Sequence, residues 1–517
     1  MTNETTEAET SMEHFETETT LPPKARRTRI VPVPKALASV LIAFGLLVAA
    51  DLLVYGHAPG LGLVALFVLV AVAVLALKAR DLPVVPAAIA GGFFLLMLAP
   101  LVEQPDMLPF LLGLVGLTVL AITAWRRVPA RWTGWPLQVA RFVAIAPARM
   151  LYDGVAMLGR GNGGRWGLRR ALVTWIVPAI FGVVFLVLFS DANPVLADLF
   201  GRLDFSALLD PARVIFWLFA VGFIWPFVVV RLKRWKPRRP VEAAPVAAVT
   251  ENLLFGRAAI LNSLLVFNAL FAVQTAMDIT YLWVGVALPD GLSYADYAHR
   301  GAYPLVATAL LAAGFVVAAM RRGGAGEHSK LIRALVYLWI GQNVLLVVSS
   351  ILRLDLYVSL YSLTELRVAA FIWMGLVAVG LVLILLRIRL NKSNTWLIAL
   401  NIYALAFTLL VSSITDFSAL IADFNVAHSR EISLKGIPLD IDYFGTLGPT
   451  AIPALDRFIE STSQEHRHQK ASALTMRQRL VADFAGRDRD WRAWSFRDWR
   501  LEQYLAGVAV SDGTAKN

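Results

Sequence analysis

The 517-residue chain contains no cysteine. No disulfide braces it, and no thiol can serve as a nucleophile or a metal ligand. Charge is scarce too: 16% of residues are Asp, Glu, Lys or Arg, against roughly a quarter in soluble domains. With 58% hydrophobic residues and a mean hydropathy of +0.64, most of the chain is excluded from water and has lipid as its solvent. Familiar catalytic signatures are missing as well. There is no Walker lysine motif, no HExxH, no nucleophile elbow and no paired histidine ligands among the 7 histidines. Residues 1–20 are acidic and polar rather than basic then apolar, so they do not read as a cleavable secretory signal.

What is present is a series of long apolar runs. Stretches of about 20 apolar residues, enough to cross a hydrocarbon core of roughly 30 Å, recur about eleven times. They lie at 36–55, 60–77, 83–101, 107–125, 171–189, 213–230, 256–280, 302–320, 334–351, 365–386 and 395–415. The pattern predicts an all-α polytopic transmembrane bundle. Positive loops stay in the cytoplasm, and with a cytoplasmic N-terminus 30 of the 48 Lys and Arg fall inside. Only Arg202, Arg213, Arg300, Arg353 and Arg367 fall in the opposite loops, and the remaining 13 follow residue 416. An odd number of spans then places the C-terminal tail outside. This topology accounts for the net charge of +11, which implies contact with anionic headgroups on the cytoplasmic side and no nucleic acid partner.

The chain divides by composition. Residues 1–30 run from Glu4, Glu7, Glu9, Glu13, Glu16 and Glu18 to Lys24, Arg26, Arg27 and Arg29, the pattern of a disordered tail. A six-span N-terminal membrane half follows at 31–230, then a basic, Pro/Ala-rich cytoplasmic linker at 231–252, where prolines prevent a continuous helix. A five-span C-terminal membrane half covers 253–416. In 126–170, Trp132, Trp135, Leu137, Phe142, Met150 and Leu151 alternate with Arg131, Arg141 and Arg149, which predicts a helix lying in the membrane surface. A second surface segment is predicted at 193–210, with Asp198, Asp204 and Asp210. The tail, 417–517, should fold as two or three helices packed on the spans, one starting at Pro449 and Pro453, the last formed by 490–501.

Polar residues inside or beside spans carry the functional expectations, because an ionisable group at depth is costly and faces a partner or a water-filled cavity. Gln274 and Asp278 share one face of a span, as do Asn343 and Ser350, while Asn394, Asn401, Thr408 and Thr415 repeat every seven residues with Asp416 closing the row. Interhelical hydrogen bonding is the structural alternative for that row. Alternation in 352–361 suits an extended or surface-lying turn, and Ser362-Leu363-Thr364-Glu365 reads as a capping box. Arg367 is expected to bridge to Asp278 or Asp416. The polar segment 289–304 lies between two spans on the same outer side. The candidate cluster is therefore Asp278, Asp290, Tyr294, Asp296, Tyr297, His299, Arg300, Tyr303, Arg353, Asp355, Tyr357, Glu365, Arg367 and Asp416. His299 beside Arg300 could offer a proton-transfer group next to a phosphate clamp. A turn at Pro289-Asp290-Gly291 with an interfacial tyrosine belt is the alternative. Gly159-Arg160-Gly161-Asn162-Gly163-Gly164 fits GxGxxG, but no strand precedes it, so it reads as a hinge. No catalytic residue, cofactor or metal is assigned.

The stretches ALPDGLSYADYAHRGAYPLVATALLAAGFVV, LRLDLYVSLYSLTELRVAAFIWMGLVAVGLVLI and DFNVAH at 423–428 resemble bacterial membrane proteins of domain-of-unknown-function family 4173 over roughly 210–430. The resemblance implies a polytopic bacterial membrane protein and no transferable activity. With residue usage it points to a multi-pass protein of the bacterial inner membrane, N-terminus cytoplasmic and C-terminus periplasmic. The expected role is a non-enzymatic envelope or signalling-associated component, with a protein partner of unknown kind. A transporter with a polar site in the C-terminal half, or an enzyme on a lipid-linked substrate at the outer face, are the alternatives.

Overall fold

The computed structural model describes residues 33–146, 210–229, 257–284, 314–315 and 329–514. Among these residues every regular element is helical. The N-terminal helices are α1 (Val33–Val54), α2 (Leu61–Ala76), α3 (Val84–Glu103), α4 (Met107–Ala124), α5 (135–146) and α6 (Pro211–Val228). The C-terminal membrane helices are α7 (Arg257–Asp278), α8 (Lys330–Tyr361), α9 (Glu365–Arg389) and α10 (Asn394–Ile414). The tail supplies α11 (Phe417–His428), α12 (Ile441–Leu447), α13 (Ile452–Ser461), α14 (Arg467–Ala485) and α15 (Phe496–Thr514).

Among the described residues, 7 helices are long and apolar enough to cross a membrane: α3, α4, α6, α7 extended to Tyr281, α8, α9 and α10. Ala38–Val54 and Leu61–Ala76 are apolar but shorter. The expected span 171–189, the expected span 302–320 except for 314–315, the GxGxxG segment and nearly all of 193–210 lie outside the described residues. Large apolar side chains face outward along these helices, with Phe219 76% and Phe407 68% exposed. A helix apolar on all sides belongs in lipid.

Three clusters of buried residues lie among the described membrane helices. The first is built by Phe67, Val70, Leu117, Leu120, Ile224 and Phe227, with Phe142 of α5 packed on Phe227 at a ring distance of 5.2 Å. Here α3 and α4 approach closely because residue 116 is glycine: a Cβ there would come within 2.9 Å of Met97 Cβ, the small-residue contact typical of membrane helices. The second joins Ile260 and Leu264 to Val336, Trp339, Leu381 and Leu397. Helix α10 packs on α3 and α4 as well as on α9, and its Leu410 sits with Met97 and Leu112.

The tail folds around Ile421, Phe444, Ile452, Leu455, Phe458, Leu480 and Leu501, and its core takes in Val358 from the end of α8 and Leu363 from the α8–α9 turn. Among the described residues it contains six α-helices, counting the single turn Arg430–Ser433, more than the two or three expected, because polar segments such as 462–466 break its apolar pattern. The expected starts at Pro449 and Pro453 are found. Two sequence expectations are corrected. Residues 352–361 continue α8 as helix rather than forming an extended turn, since burial at Leu346, Ser349 and Arg353 recurs at the helical spacing of three and four residues. The capping box does not form: Ser362 has φ +65° and Thr364 makes no side-chain bond to the helix start.

Candidate functional site

Several ion pairs of the membrane helices stand at the helix ends nearest the tail. In α7, Asp278 is 1% exposed and accepts a hydrogen bond from Gln274 Nε2 at 2.9 Å. Arg353 of α8, 4% exposed, pairs with it. The expected bridge from Arg367 to Asp278 or Asp416 is therefore absent. Arg367 instead donates to the carbonyls of Tyr361 and Ser362 and lies over the Tyr357 ring at 4.5 Å. Those carbonyls are freed where α8 ends, so a nearby guanidinium satisfies them. After Asp278 the helix widens into a π-turn, Ile279–Trp283, and Trp283 Nε1 donates to Ser349 Oγ at 3.1 Å.

The α8–α9 turn is held from the tail. Asn425 Oδ1 accepts from Leu363 N at 2.7 Å while its Nδ2 donates to Leu363 O at 2.9 Å, a two-bond clamp on the backbone of one residue. Glu365 N donates to Tyr443 Oη at 3.1 Å, replacing the cap expected from Ser362. Burial pushes the Tyr443 phenol above its ordinary value. Asp355 and the side chain of Glu365 are exposed. Asp416 caps α11 by accepting from Ala419 N at 3.0 Å.

Asp416 also belongs to a bridge. Arg497 of α15 lies 3.5 Å from Asp416 and 3.5 Å from Glu103 at the end of α3, and Arg500 pairs with Glu103 too. Nearby, Leu61 N donates to Trp494 O at 3.0 Å, and His57 stands 3.7 Å from Asp488 and contacts Arg492. Backbone bonding from Asp490, followed by that from Ala58, holds the Asp488 carboxyl below its usual value. The tail thus touches the α1–α2 turn, the end of α3, the α8–α9 turn and the end of α10.

A further cluster joins α1 to α6. Asp51 Oδ1 accepts from Arg213 Nε and Trp217 Nε1, each at 2.8 Å. Tyr55 donates to Asp210 at 2.6 Å, and Asp210 accepts from Ala212 N at 3.2 Å. The Tyr55 hydrogen bond lowers the Asp210 carboxyl. Sequence reasoning missed this group, although Asp51 is the only charged residue between Lys35 and His57. It missed Glu103, Arg497 and Asn425 as well, because their partners lie far away in sequence.

Of the candidate cluster, the structure brings Asp278 to Arg353 and Tyr357 to Arg367, and sends Asp416 to the tail. Asp290, Tyr294, Asp296, Tyr297, His299, Arg300 and Tyr303 lie outside the described residues. Among the described residues no group of three or more His, Asp or Glu could hold a metal ion.

Long apolar helices with outward-facing hydrophobic side chains and several ion pairs at the helix ends nearest the tail define a membrane-embedded helical protein. The chain belongs to the family described as domain of unknown function (DUF4153), whose family model matches residues 36–458. This corrects the resemblance to family 4173: the two are different families of unknown function, and the motifs quoted above did not separate them. No curated protein and no solved structure matches the chain.

Proposed function

We propose that this protein is a non-enzymatic component of a bacterial inner membrane, spanning it about eleven times with its N-terminus in the cytoplasm. In this reading the tail is a periplasmic clasp that holds a six-span half, 31–230, and a five-span half, 253–416, in one arrangement for an envelope or signalling partner. The observation that carries it is the bridge at Arg497, which shares its charge between Glu103 and Asp416, one acid from each half. Among the described residues at this end, Asp278 pairs with Arg353, Arg367 with Tyr357 and Asp416 with Arg497, which favours architecture over chemistry.

The test is complementation of a strain lacking the protein. Rescue is expected to survive Asp290→Asn, Asp296→Asn, His299→Gln and Glu365→Gln, and to fail with Arg497→Glu. Loss of rescue by His299→Gln or Asp296→Asn at an unchanged protein level would overturn the reading in favour of an enzyme at the outer face. A transporter is the second reading. It is favoured by the buried Asp278–Arg353 pair, since ionisable groups at depth mark transport paths.

A further inference from the structure

Helices α7 and α8 meet along a seam richer in polar groups than their packing requires. Asn268 Nδ2 donates to Leu264 O at 2.7 Å and, across the seam, to Leu335 O at 3.1 Å. Gln342 Nε2 crosses back to Asn268 O at 3.2 Å, and Asn343 Nδ2 donates to Trp339 O at 2.8 Å. Each amide nitrogen is thus committed to a backbone carbonyl, which fixes the orientation of the amide. The three amide oxygens, together with Thr275 Oγ1, are enclosed with no hydrogen-bond partner in the protein. Trp339 Nε1 is enclosed in the same way. Asn343 is 1%, Asn268 6% and Trp339 0% exposed.

The chemistry of this set selects its occupant. Amide oxygens only accept and an indole N–H only donates. A bare cation would suit the oxygens but be repelled by the N–H, and its charge would stand uncompensated, because Asp278 at the end of the seam is paired with Arg353. An anion would meet one donor and several acceptors. Water both donates and accepts, and buried water commonly joins groups of this kind. We propose that the α7–α8 seam is a water-binding site, in which ordered water bridges Asn268, Thr275, Gln342, Asn343 and the Trp339 indole within the membrane. The assignment rests on this geometry alone and holds whether the protein is a scaffold or a transporter.

Radiolytic hydroxyl labelling of the unsubstituted, full-length protein in lipid nanodiscs containing ¹⁸O water tests it, because radicals formed from bound water mark adjacent side chains. After correction for intrinsic reactivity, Trp339 is expected to take up several-fold more ¹⁸O than Phe444 and Phe458, which are equally buried in the tail core. Uptake at Trp339 no greater than at those two residues would overturn the proposal. In Asn343→Leu, judged folded by its thermal midpoint, uptake at Trp339 should fall while uptake at Phe444 and Phe458 is unchanged. Undiminished uptake there would overturn the assignment of Asn343 to the site.

Discussion

At the scale of single residues, burial decides which charges matter. The Asp278–Arg353 pair lies almost wholly out of contact with solvent, so removing one partner leaves the other charge uncompensated. Arg353→Leu should destabilise the protein by about 3–5 kcal/mol, read as a lowered thermal midpoint. The double variant Arg353→Leu with Asp278→Asn should recover much of that loss, and failure to recover would show that the two charges are not coupled. The exposed pair Arg457–Asp423 offers a contrast, with an expected effect of about 0–1 kcal/mol. Protonation gives a second handle. Asp210 and Asp488 both have carboxyls lowered from 3.8, so the stability they add is present above that value and is lost as pH falls through their lowered values. The gap in thermal midpoint between the wild-type protein and Asp210→Asn should therefore close as pH falls below 3.8. A gap that persists in full at lower pH would contradict this origin. Tyr504 titrates at the opposite extreme, pushed up to about 12 by burial and by its hydrogen bond to Asp456.

At the scale of elements, the α1–α2 turn shows how one missing side chain admits another part of the chain. Gly60 lies so close to Ala493 that an added Cβ would overlap its carbonyl. This permits the Leu61 N to Trp494 O bond. Gly60→Val should displace the 3₁₀ turn Trp491–Ala493 and speed proteolytic cleavage within 487–495 several-fold, while α3 and α4 stay protected. Unchanged cleavage would mean that the turn does not dock there. The helices themselves were legible in the sequence, because an apolar run long enough to span lipid has few alternatives to a helix. Residues 352–361 were not, since their alternation fits a surface turn until Arg353 and Val358 are seen to have buried partners. Nor was the start of α9. A capping box is a local signal, and here Asn425 and Tyr443, distant in sequence, take over its hydrogen bonds.

At the scale of the whole molecule, the tail contacts both sets of membrane helices, through Glu103 on one side and Asp416 and Leu363 on the other, in addition to the direct packing of α10 on α3 and α4. Its side of the membrane is open to direct measurement because the chain is free of cysteine. Single substitutions Thr250→Cys, Ala295→Cys and Glu460→Cys should give labelling by a membrane-impermeant maleimide at 295 and 460, and none at 250, in spheroplasts with sealed membranes. Labelling at 250 would reverse the orientation, and failure at 460 alone would move the tail inside and change the span count by one.

The sequence by itself determined the solvent of this protein, its helical class and the residues that would be costly to bury, since hydropathy and charge act locally along the chain. Only the tertiary structure decided which charges meet. Asp278 chose Arg353 over Arg367, and Glu103 and Asp416 came to share Arg497. An ion pair depends on distance in space, and for residues 103 and 497 no local pattern records that distance.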